Sequence, residues 1–237
     1  MFQSAALRID VTVNPLPIEI EVQTGTKLRG HEWLVLGSPL VFVHDEGRDL
    51  DAWGDSLQMA ADAGFHVIAV DLRGHGLSDG EPDSTRLGLD VAALVQHVNR
   101  VWGPCGLVLA GRTCRGAFSL GIEARAPGQV FISPDLSEID EPAIRASLPA
   151  IRMVIVGTLD PVAKSESERV FGALPGQKVM ASVGDAARGE ELVTGRVHLL
   201  EDLFAFFRMY LPPPFGHSQV DRLTTEHPAR GVDVADH

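Results

Sequence analysis

This sequence of 237 residues has few cysteines, no excess of basic residues and no long apolar run. Two cysteines, Cys105 and Cys114, cannot form the disulfide framework of a small secreted protein, and they favour a reducing compartment. The net charge of -12 argues against a nucleic-acid partner, because a phosphate backbone is bound by a basic surface. No apolar run approaches the roughly 18 residues that span a bilayer, and no leader-like pattern opens the sequence. We therefore expect a cytoplasmic protein, with no nucleic acid and no membrane as its partner.

The sequence contains enough apolar residues to form the core of one large domain. Apolar residues make up 45% of the chain, and no internal repeat or low-complexity block interrupts them. Residues 212–237 begin with three prolines and then continue as a polar stretch without periodicity. Such a stretch buries too little apolar surface to dock, so it predicts a poorly ordered tail. We expect a single domain at 1–211 followed by this tail.

Short apolar runs alternate with helical patterns along that domain. The early runs alternate apolar and polar residues, which is typical of half-exposed antiparallel strands, whereas the later runs are apolar throughout, as in strands buried on both faces. This order predicts a mostly parallel sheet that begins with antiparallel strands and carries helices on both faces. The predicted strands lie at 7–13, 18–24, 33–36, 40–43, 66–71, 107–110, 130–133, 154–157 and 178–183, and the helices at 49–64, 84–102, 114–126, 138–148, 164–174 and 196–211.

Residues 107–117 (LVLAGRTCRGA) join an apolar strand to a helical pattern through a glycine and a sharp polar turn. This is the outline of a nucleophile elbow, in which one side chain is exposed at the top of a sheet. The pattern calls for Gly-x-Ser-x-Gly, but the third position here is Thr113 and the fifth is Arg115. The stretch therefore predicts the local fold better than it predicts the chemistry.

Together these segments resemble the α/β-hydrolase superfamily across residues 18–211. Residues 71–79 (DLRGHGLSD) resemble the loop that many members carry after their fourth strand, and residues 133–134 and 157–161 resemble family positions after two later strands. The resemblance implies an α/β-hydrolase fold of class α/β. The short connection between the strands at 130–133 and 154–157 implies a small form with no cap domain.

By this resemblance Thr113 falls at the nucleophile position. Its β-methyl group would crowd a strained turn, and Arg115 cannot give the close helix–strand approach of the usual glycine. We interpret the position as a former nucleophile site that no longer reacts. Cys114 is the alternative if the turn has gained one residue, because Arg115 and a helix N-terminus would lower its pKa towards a thiolate. Otherwise Cys114 is a small buried side chain.

The resemblance places the triad acid at Asp160. Arg188 follows 28 positions later, in a context (residues 187–193, ARGEELV) similar to the family's histidine turn. His198 is the alternative, although it lies within the predicted final helix. We favour Arg188, and arginine stays protonated in proteins and cannot act as a general base. We therefore expect its guanidinium to face the Asp160 carboxylate in a partly buried ion pair.

The oxyanion region also departs from the family pattern. His44 is followed by Asp45, where the family's His-Gly turn has glycine. Glu46 then occupies the position whose backbone N–H would face an oxyanion, and its carboxylate would oppose a developing negative charge unless it is paired. Asp45 and Glu46 are therefore candidate binding residues, together with Cys114 and Arg115.

These departures predict a non-hydrolytic protein, a pseudo-hydrolase with a degenerate catalytic triad, whose pocket binds or transforms a small organic molecule. An anionic molecule could be held near Thr113, Arg115 and Arg188. One alternative is a carboxylic-ester or thioester hydrolase that uses Thr113 or Cys114 with His198 and Asp160. Another is a lyase or carbon–carbon bond-forming enzyme on the same scaffold. Neither metal-ligand spacing nor a dinucleotide glycine pattern stands out, so we expect no cofactor and no metal.

Overall fold

The structure, a computed structural model, describes residues 13–23, 25–118 and 122–211. The predicted strand at 7–13 therefore lies almost wholly outside the described residues. Residues 119–121 of the predicted elbow helix and the predicted tail at 212–237 also lie outside them. Within the described part, no helix has both the length and the apolar character that a membrane crossing requires.

The described residues form one eight-stranded sheet in the order β1-β2-β4-β3-β5-β6-β7-β8. The pairs β1–β2 and β2–β4 are antiparallel, and every other pair is parallel. The prediction of a mostly parallel sheet with an antiparallel start is confirmed. The strands are β1 Leu16–Gln23, β2 Thr26–Trp33, β3 Pro39–Val43, β4 His66–Val70, β5 Gly106–Ala110, β6 Gly128–Ile132, β7 Ile151–Gly157 and β8 Lys178–Val183.

Helices cover both faces of this sheet. Leu57 of α1 and Leu203 of α6 belong to the core on one face, while Leu94 of α2 and Val170 of α5 belong to the core on the other. Strands β3 to β6 are buried at every residue, which explains their apolar composition. The helices are α1 Ser56–Asp62, α2 Leu87–Trp102, α3 Ile122–Arg125, α4 Glu141–Ala146, α5 Pro161–Ala173 and α6 Val197–Tyr210, with 3-10 helices at Leu50–Trp53, Gly111–Phe118 and Gly189–Leu192.

The predicted strand at 33–36 is wrong, because Trp33 is the last residue of β2. The inward positions of β2 are not uniformly apolar, which hid the strand in the sequence. Gly30 packs so closely on β4 that a Cβ atom there would lie 2.0 Å from the carbonyl oxygen of Ala69. Glu32 is buried and its Oε1 lies 2.7 Å from Nε2 of His66 on β4.

The predicted helix at 49–64 is interrupted. The side chain of Asp49 accepts a hydrogen bond from the N–H of Asp51 and caps a 3-10 helix, which ends at Gly54 with φ +49°. Helix α1 begins two residues later. In the connection from β6 to β7, residues 133–150, the six-residue α4 is the only helix.

Strands β3 and β5 are neighbours, but the chain continues from them in opposite directions across the sheet. Strand β4 lies on the other side of β3, and β6 lies on the other side of β5. Ligands of open parallel sheets bind in the crevice at the carboxyl ends of such strands. The loops after β3 and β5 are therefore the first place to look for a site.

Candidate functional site

A cavity of about 540 Å³ opens at the carboxyl ends of the parallel strands. Asp45 follows β3, Gly111 follows β5, and both line the cavity. Its other walls are the loop after β6, the first residues of α5 and the segment at 188–189. The cavity thus lies at the switch in strand order, and its volume falls within the range of small-molecule sites, about 300–1,000 Å³.

The sharp turn after β5 is made by Gly111, which has φ +52°. Thr113 is completely buried; its hydroxyl donates to the carbonyl oxygen of Ala110 at 2.6 Å and accepts from the N–H of Ala110 at 3.2 Å. The placement of Thr113 at the exposed top of the turn is therefore wrong. Glycine adopts positive φ without strain, so Gly111 was the residue in this stretch best suited to the turn.

The segment after the turn is a 3-10 helix, and the predicted α-helix at 114–126 is replaced by this helix and the short α3. Close packing against α2 is provided by Gly116, where a Cβ atom would lie 2.8 Å from Cγ2 of Val91. Gly116, rather than residue 115, is thus the glycine in this segment that a neighbouring element approaches closely. This leaves the side chain of Arg115 free to reach the carboxylates described below.

Cys114 is completely buried, and its thiol donates to the carbonyl oxygen of Leu109 at 3.5 Å. Burial raises the pKa of this thiol well above its usual value, and the negative charges of Asp45 and Glu190 raise it further. The thiolate alternative for Cys114 is therefore wrong, and the alternative reading as a small buried side chain is confirmed.

The carboxylate of Asp45 fills the space between the loops after β3 and β5. Its Oδ1 accepts hydrogen bonds from the backbone N–H of Glu46 at 2.8 Å and of Arg112 at 2.7 Å. A Cβ atom built on Gly111 would lie 2.0 Å from Asp45 Oδ2. The side chain of Asp45 therefore occupies both a pair of backbone donors and the space that a side chain at position 111 would need.

Two more groups fix the position of Asp45. Its N–H donates to Oε1 of Glu190, a buried carboxyl, at 2.5 Å. Its carbonyl oxygen lies 2.8 Å from Nδ1 of His44, whose Nε2 accepts the N–H of Leu72. Burial raises the pKa of both Asp45 and Glu190 and lowers that of His44. Burial thus acts against the charged form of each group, while backbone hydrogen bonds from Arg112 and Glu46 favour the charged form of Asp45.

Hydrogen bonds made by the loop at 71–79 support this arrangement. Asp71 accepts the N–H of Leu50 at 2.8 Å and of Leu77 at 3.0 Å. A Cβ atom at Gly76 would lie 2.0 Å from Asp71 Oδ2, which explains the glycine. His75 accepts the N–H of Gly47 at 3.0 Å, so this histidine ties two loops together. These contacts explain the residues of the motif at 71–79 by their structural roles.

Glu46 and Glu138 hold the two arginines that follow the turn. Arg112 lies 3.2 Å from Oε2 of Glu46 and also pairs with Glu138. Arg115 donates to Glu138 at 2.7 Å and lies 3.9 Å from Glu46. The carboxylate of Glu46 is thus paired with cations. Arg115 does not line the cavity, so the expectation that it helps to hold an anionic ligand there has no structural support.

Asp160 caps α5 by accepting the N–H of Val162 and of Ala163 through Oδ1. Its Oδ2 accepts a hydrogen bond from Nε of Arg188 at 2.5 Å, so the expected ion pair is present. This hydrogen bond is the main reason that the pKa of Asp160 falls to about 2. His198 is exposed at the second residue of α6. The group on Asp160 is therefore Arg188 rather than His198.

Ser133, which follows β6, is a site residue that sequence reasoning treated only as part of a family position. It has φ +46° and is the one non-glycine residue with positive φ in the described ranges. Ser133 lines the cavity and is 5% exposed, and its Oγ has no hydrogen-bond partner among the described residues. A non-glycine residue held at positive φ often marks a functional site. The sequence offered only the Ser-Pro pair as a signal.

A sequence profile of the alpha/beta hydrolase family matches residues 40–232, which is more than half of the chain. This chain belongs to the alpha/beta hydrolase family. Its fold agrees with that of a Pyrococcus furiosus esterase, with a TM-score of 0.66, 15% identity, and coverage of 86% of this chain and 95% of the esterase. At that identity the likeness extends to the fold alone.

Two curated relatives match over shorter segments. The chain is 37% identical over 130 residues to the dihydrolipoyllysine-residue acetyltransferase component of an acetoin cleaving system from Pseudomonas putida, covering 51% of the chain and 32% of that protein. It is 50% identical over 42 residues to the non-heme chloroperoxidase CPO-A1 of Kitasatospora aureofaciens, covering 18% and 15%. The matches thus span about a third or less of these relatives.

An alpha/beta hydrolase that transfers acyl groups needs a nucleophile, a base and free donors for an oxyanion. In this chain the turn residue Gly111 has no side chain, and the group on Asp160 is a guanidinium that does not accept a proton. The donors at the two loops are already bound by Asp45. The wall of this concave site contains the carboxylates of Asp45, Asp135 and Glu166.

Proposed function

We propose that this alpha/beta hydrolase-family protein is non-hydrolytic and uses its cavity to bind a small organic molecule. The proposal rests on one observation: Asp45 Oδ1 accepts the N–H of Glu46, which the resemblance places at an oxyanion donor position, and the N–H of Arg112, the residue that follows the turn at Gly111. A carboxylate oxygen in that place is an internal substitute for the oxyanion. Because this carboxylate already occupies the two donors and carries a negative charge, it excludes the negatively charged intermediate of acyl transfer.

The effect on hydrolysis is large. Removal of one oxyanion donor lowers kcat by about 10² to 10³ in a serine protease. Here both donors have a partner, and Gly111 cannot supply a nucleophile to use them. Loss of a positioned general base removes a further factor of about 10² to 10⁴. These factors together leave no appreciable acyl transfer.

The test is an esterase assay with p-nitrophenyl acetate and p-nitrophenyl butyrate, in parallel with fluorophosphonate labelling. We expect no saturable turnover above the buffer rate and no stoichiometric label on the protein. Turnover that disappears in Thr113→Ala or in Cys114→Ala would overturn the proposal and restore the ester or thioester hydrolase. Loss of turnover in His198→Ala would do the same, whereas Arg100→Ala serves as a surface control.

A lyase or carbon–carbon bond-forming activity is the second candidate, and the carboxyl of Asp45 favours it. Burial raises the pKa of this cavity-lining group, which suits a general acid or base. The check is to identify by mass spectrometry a molecule that co-purifies with the protein, and then to incubate that molecule with fresh protein. Recovery of the unchanged molecule supports binding alone. Conversion that is lost in Asp45→Asn, with binding retained, supports catalysis.

A further inference from the structure

The cavity wall carries two carboxylates, Asp45 and Asp135, and each has one oxygen that accepts no hydrogen bond from the described residues. Asp45 uses Oδ1 for two backbone donors, and Asp135 uses Oδ1 for the N–H and hydroxyl of Ser137. Among the described residues, no hydrogen bond reaches Oδ2 of either aspartate. Burial is the main reason that the pKa of Asp45 is raised, and the charges of Asp135 and Glu46 add to it. The two carboxylates therefore repel each other across a cavity that a cation would stabilise.

The cations near the cavity are already paired. Arg188, on its rim, donates to Asp160, and Arg112 and Arg115 pair with carboxylates outside the lining. Glu166, a third carboxylate in the wall, is neutralised by Arg169 through hydrogen bonds of 2.7 and 2.8 Å. Asp45 and Asp135 are thus the lining carboxylates without an ion-pair partner among the described residues, although burial of Asp135 is outweighed by hydrogen bonds from Ser137 and the charges of Arg112 and Arg115, which lower its pKa.

A second and independent feature points to a ligand at the same place. Ser133 lines the cavity, is 5% exposed and holds a hydroxyl with no partner among the described residues. An unpaired buried hydroxyl lowers stability unless some other group satisfies it. Ser133 has a strained φ of +46° and lies two residues before Asp135, in the same loop after β6.

Apolar side chains line the cavity as well. They are Pro134 and the first residues of α5, Pro161, Val162 and Ala163, of which Val162 is 68% exposed. A ligand that meets both the aspartates and these side chains therefore has a polar head and an apolar body. Apolar surface with a few placed polar groups is the usual composition of a small-molecule site.

We propose that the ligand of this cavity is a small organic amine, whose protonated nitrogen binds Asp45 and Asp135 and hydrogen-bonds Ser133, and whose apolar body lies against Val162. This inference rests on the proposed binding function and names its substrate class. It replaces the anionic ligand that the sequence favoured.

Three probes with one skeleton test it: 3-phenylpropylamine, 3-phenylpropan-1-ol and 3-phenylpropanoate, each titrated calorimetrically against the full chain. We expect the amine to bind at least tenfold more tightly than the alcohol, and the carboxylate to bind most weakly. Asp135→Asn should weaken amine binding about tenfold and leave alcohol binding unchanged, since it removes a charge-assisted hydrogen bond. The matched control is Glu141→Gln, which removes one carboxylate outside the lining and should change neither affinity.

Ser133→Ala separates a ligand contact from a structural role. It should weaken amine binding several-fold without lowering the melting temperature of the free protein, because the hydroxyl that it removes has no partner. The proposal is overturned if the carboxylate binds as tightly as the amine, if none of the probes binds, or if Glu141→Gln acts as strongly as Asp135→Asn. Ester hydrolysis with retained amine preference would overturn the non-hydrolytic function and leave the ligand class intact.

Discussion

The contact between Asp45 and Gly111 makes a quantitative prediction. In Gly111→Ala the new Cβ atom would lie 2.0 Å from Oδ2 and 2.2 Å from Cγ of Asp45, so the carboxylate must leave its place. It then loses two charge-assisted hydrogen bonds, each contributing about 1.5–3 kcal/mol, of which water returns a part because Asp45 is half-buried. Positive φ at alanine adds about 1 kcal/mol. We expect Gly111→Ala to lower the free energy of unfolding by about 3–5 kcal/mol.

The same substitution should be mild once the carboxylate is gone. In an Asp45→Gly background, Gly111→Ala meets no side chain and retains only the φ penalty of about 1 kcal/mol. The two positions should therefore show a coupling free energy of about 2–4 kcal/mol, well above the additivity error of about 0.5 kcal/mol. Urea unfolding of the wild type, both single variants and the double variant, followed by circular dichroism, measures this coupling.

Gly189 offers a matched control. It has φ +53°, nearly the same as Gly111, but a Cβ atom there would lie 3.9 Å from Asp45 Oδ2 and 3.8 Å from Cβ of Ala110. Gly189→Ala should therefore lower the free energy of unfolding by about 1 kcal/mol in both backgrounds. If the losses at Gly111 and Asp45 simply add, the carboxylate does not occupy the space at the turn and the basis for a non-hydrolytic site is lost.

Three further predictions concern the charges and thiols around the site. Arg188→Ala should raise the pKa of Asp160 from about 2 towards its usual value, which NMR of the carboxyl carbon measures. The stability that this pair contributes is present above pH 3.8 and is lost as the pH falls towards 2. An unchanged pKa in the variant would refute the pairing. Glu190→Gln keeps an acceptor for the N–H of Asp45 but removes a buried carboxyl whose pKa is raised by burial. The variant should therefore be more stable than the wild type at neutral pH, and it should lose less stability as the pH rises above 4.5. If the variant loses as much stability between pH 4 and pH 7 as the wild type does, this prediction is contradicted. Iodoacetamide should modify Cys105 and Cys114 slowly in the native state, because burial raises the pKa of both thiols, that of Cys105 to about 12. Rapid selective labelling of Cys114 would contradict its buried environment.

Much of the fold could be predicted because its signals are local. The strands at the centre of the sheet are buried at every residue and mostly apolar, and residues 71–79 carry a motif whose glycine and aspartate contact each other within one loop. Strand β2 could not be recognised, because two of its inward positions are Gly30 and Glu32. Their fit depends on Ala69 and His66 of β4, which are distant in sequence.

The candidate site was predicted in part for the same reason. The pairing of Arg188 with Asp160 followed from spacing and is present in the structure. Counting residues placed the turn at Thr113, whereas the positive φ belongs to Gly111 and the hydroxyl of Thr113 faces inward. The role of Asp45 depends on donors from two loops, and the strain at Ser133 leaves no mark in composition. Neither could be read from a pattern along the chain.

Asp45 and Gly111 form one coupled contact between the loops after β3 and β5. The backbone N–H groups of Glu46 and Arg112 both donate to Asp45 Oδ1, and buried N–H groups without an acceptor lower stability. A carboxylate at position 45 satisfies both donors permanently, but it fits only where position 111 has no side chain. The fold therefore keeps its donors satisfied without a substrate. The second oxygen of that carboxylate accepts no hydrogen bond among the described residues, and it is the atom that the proposed amine ligand would meet.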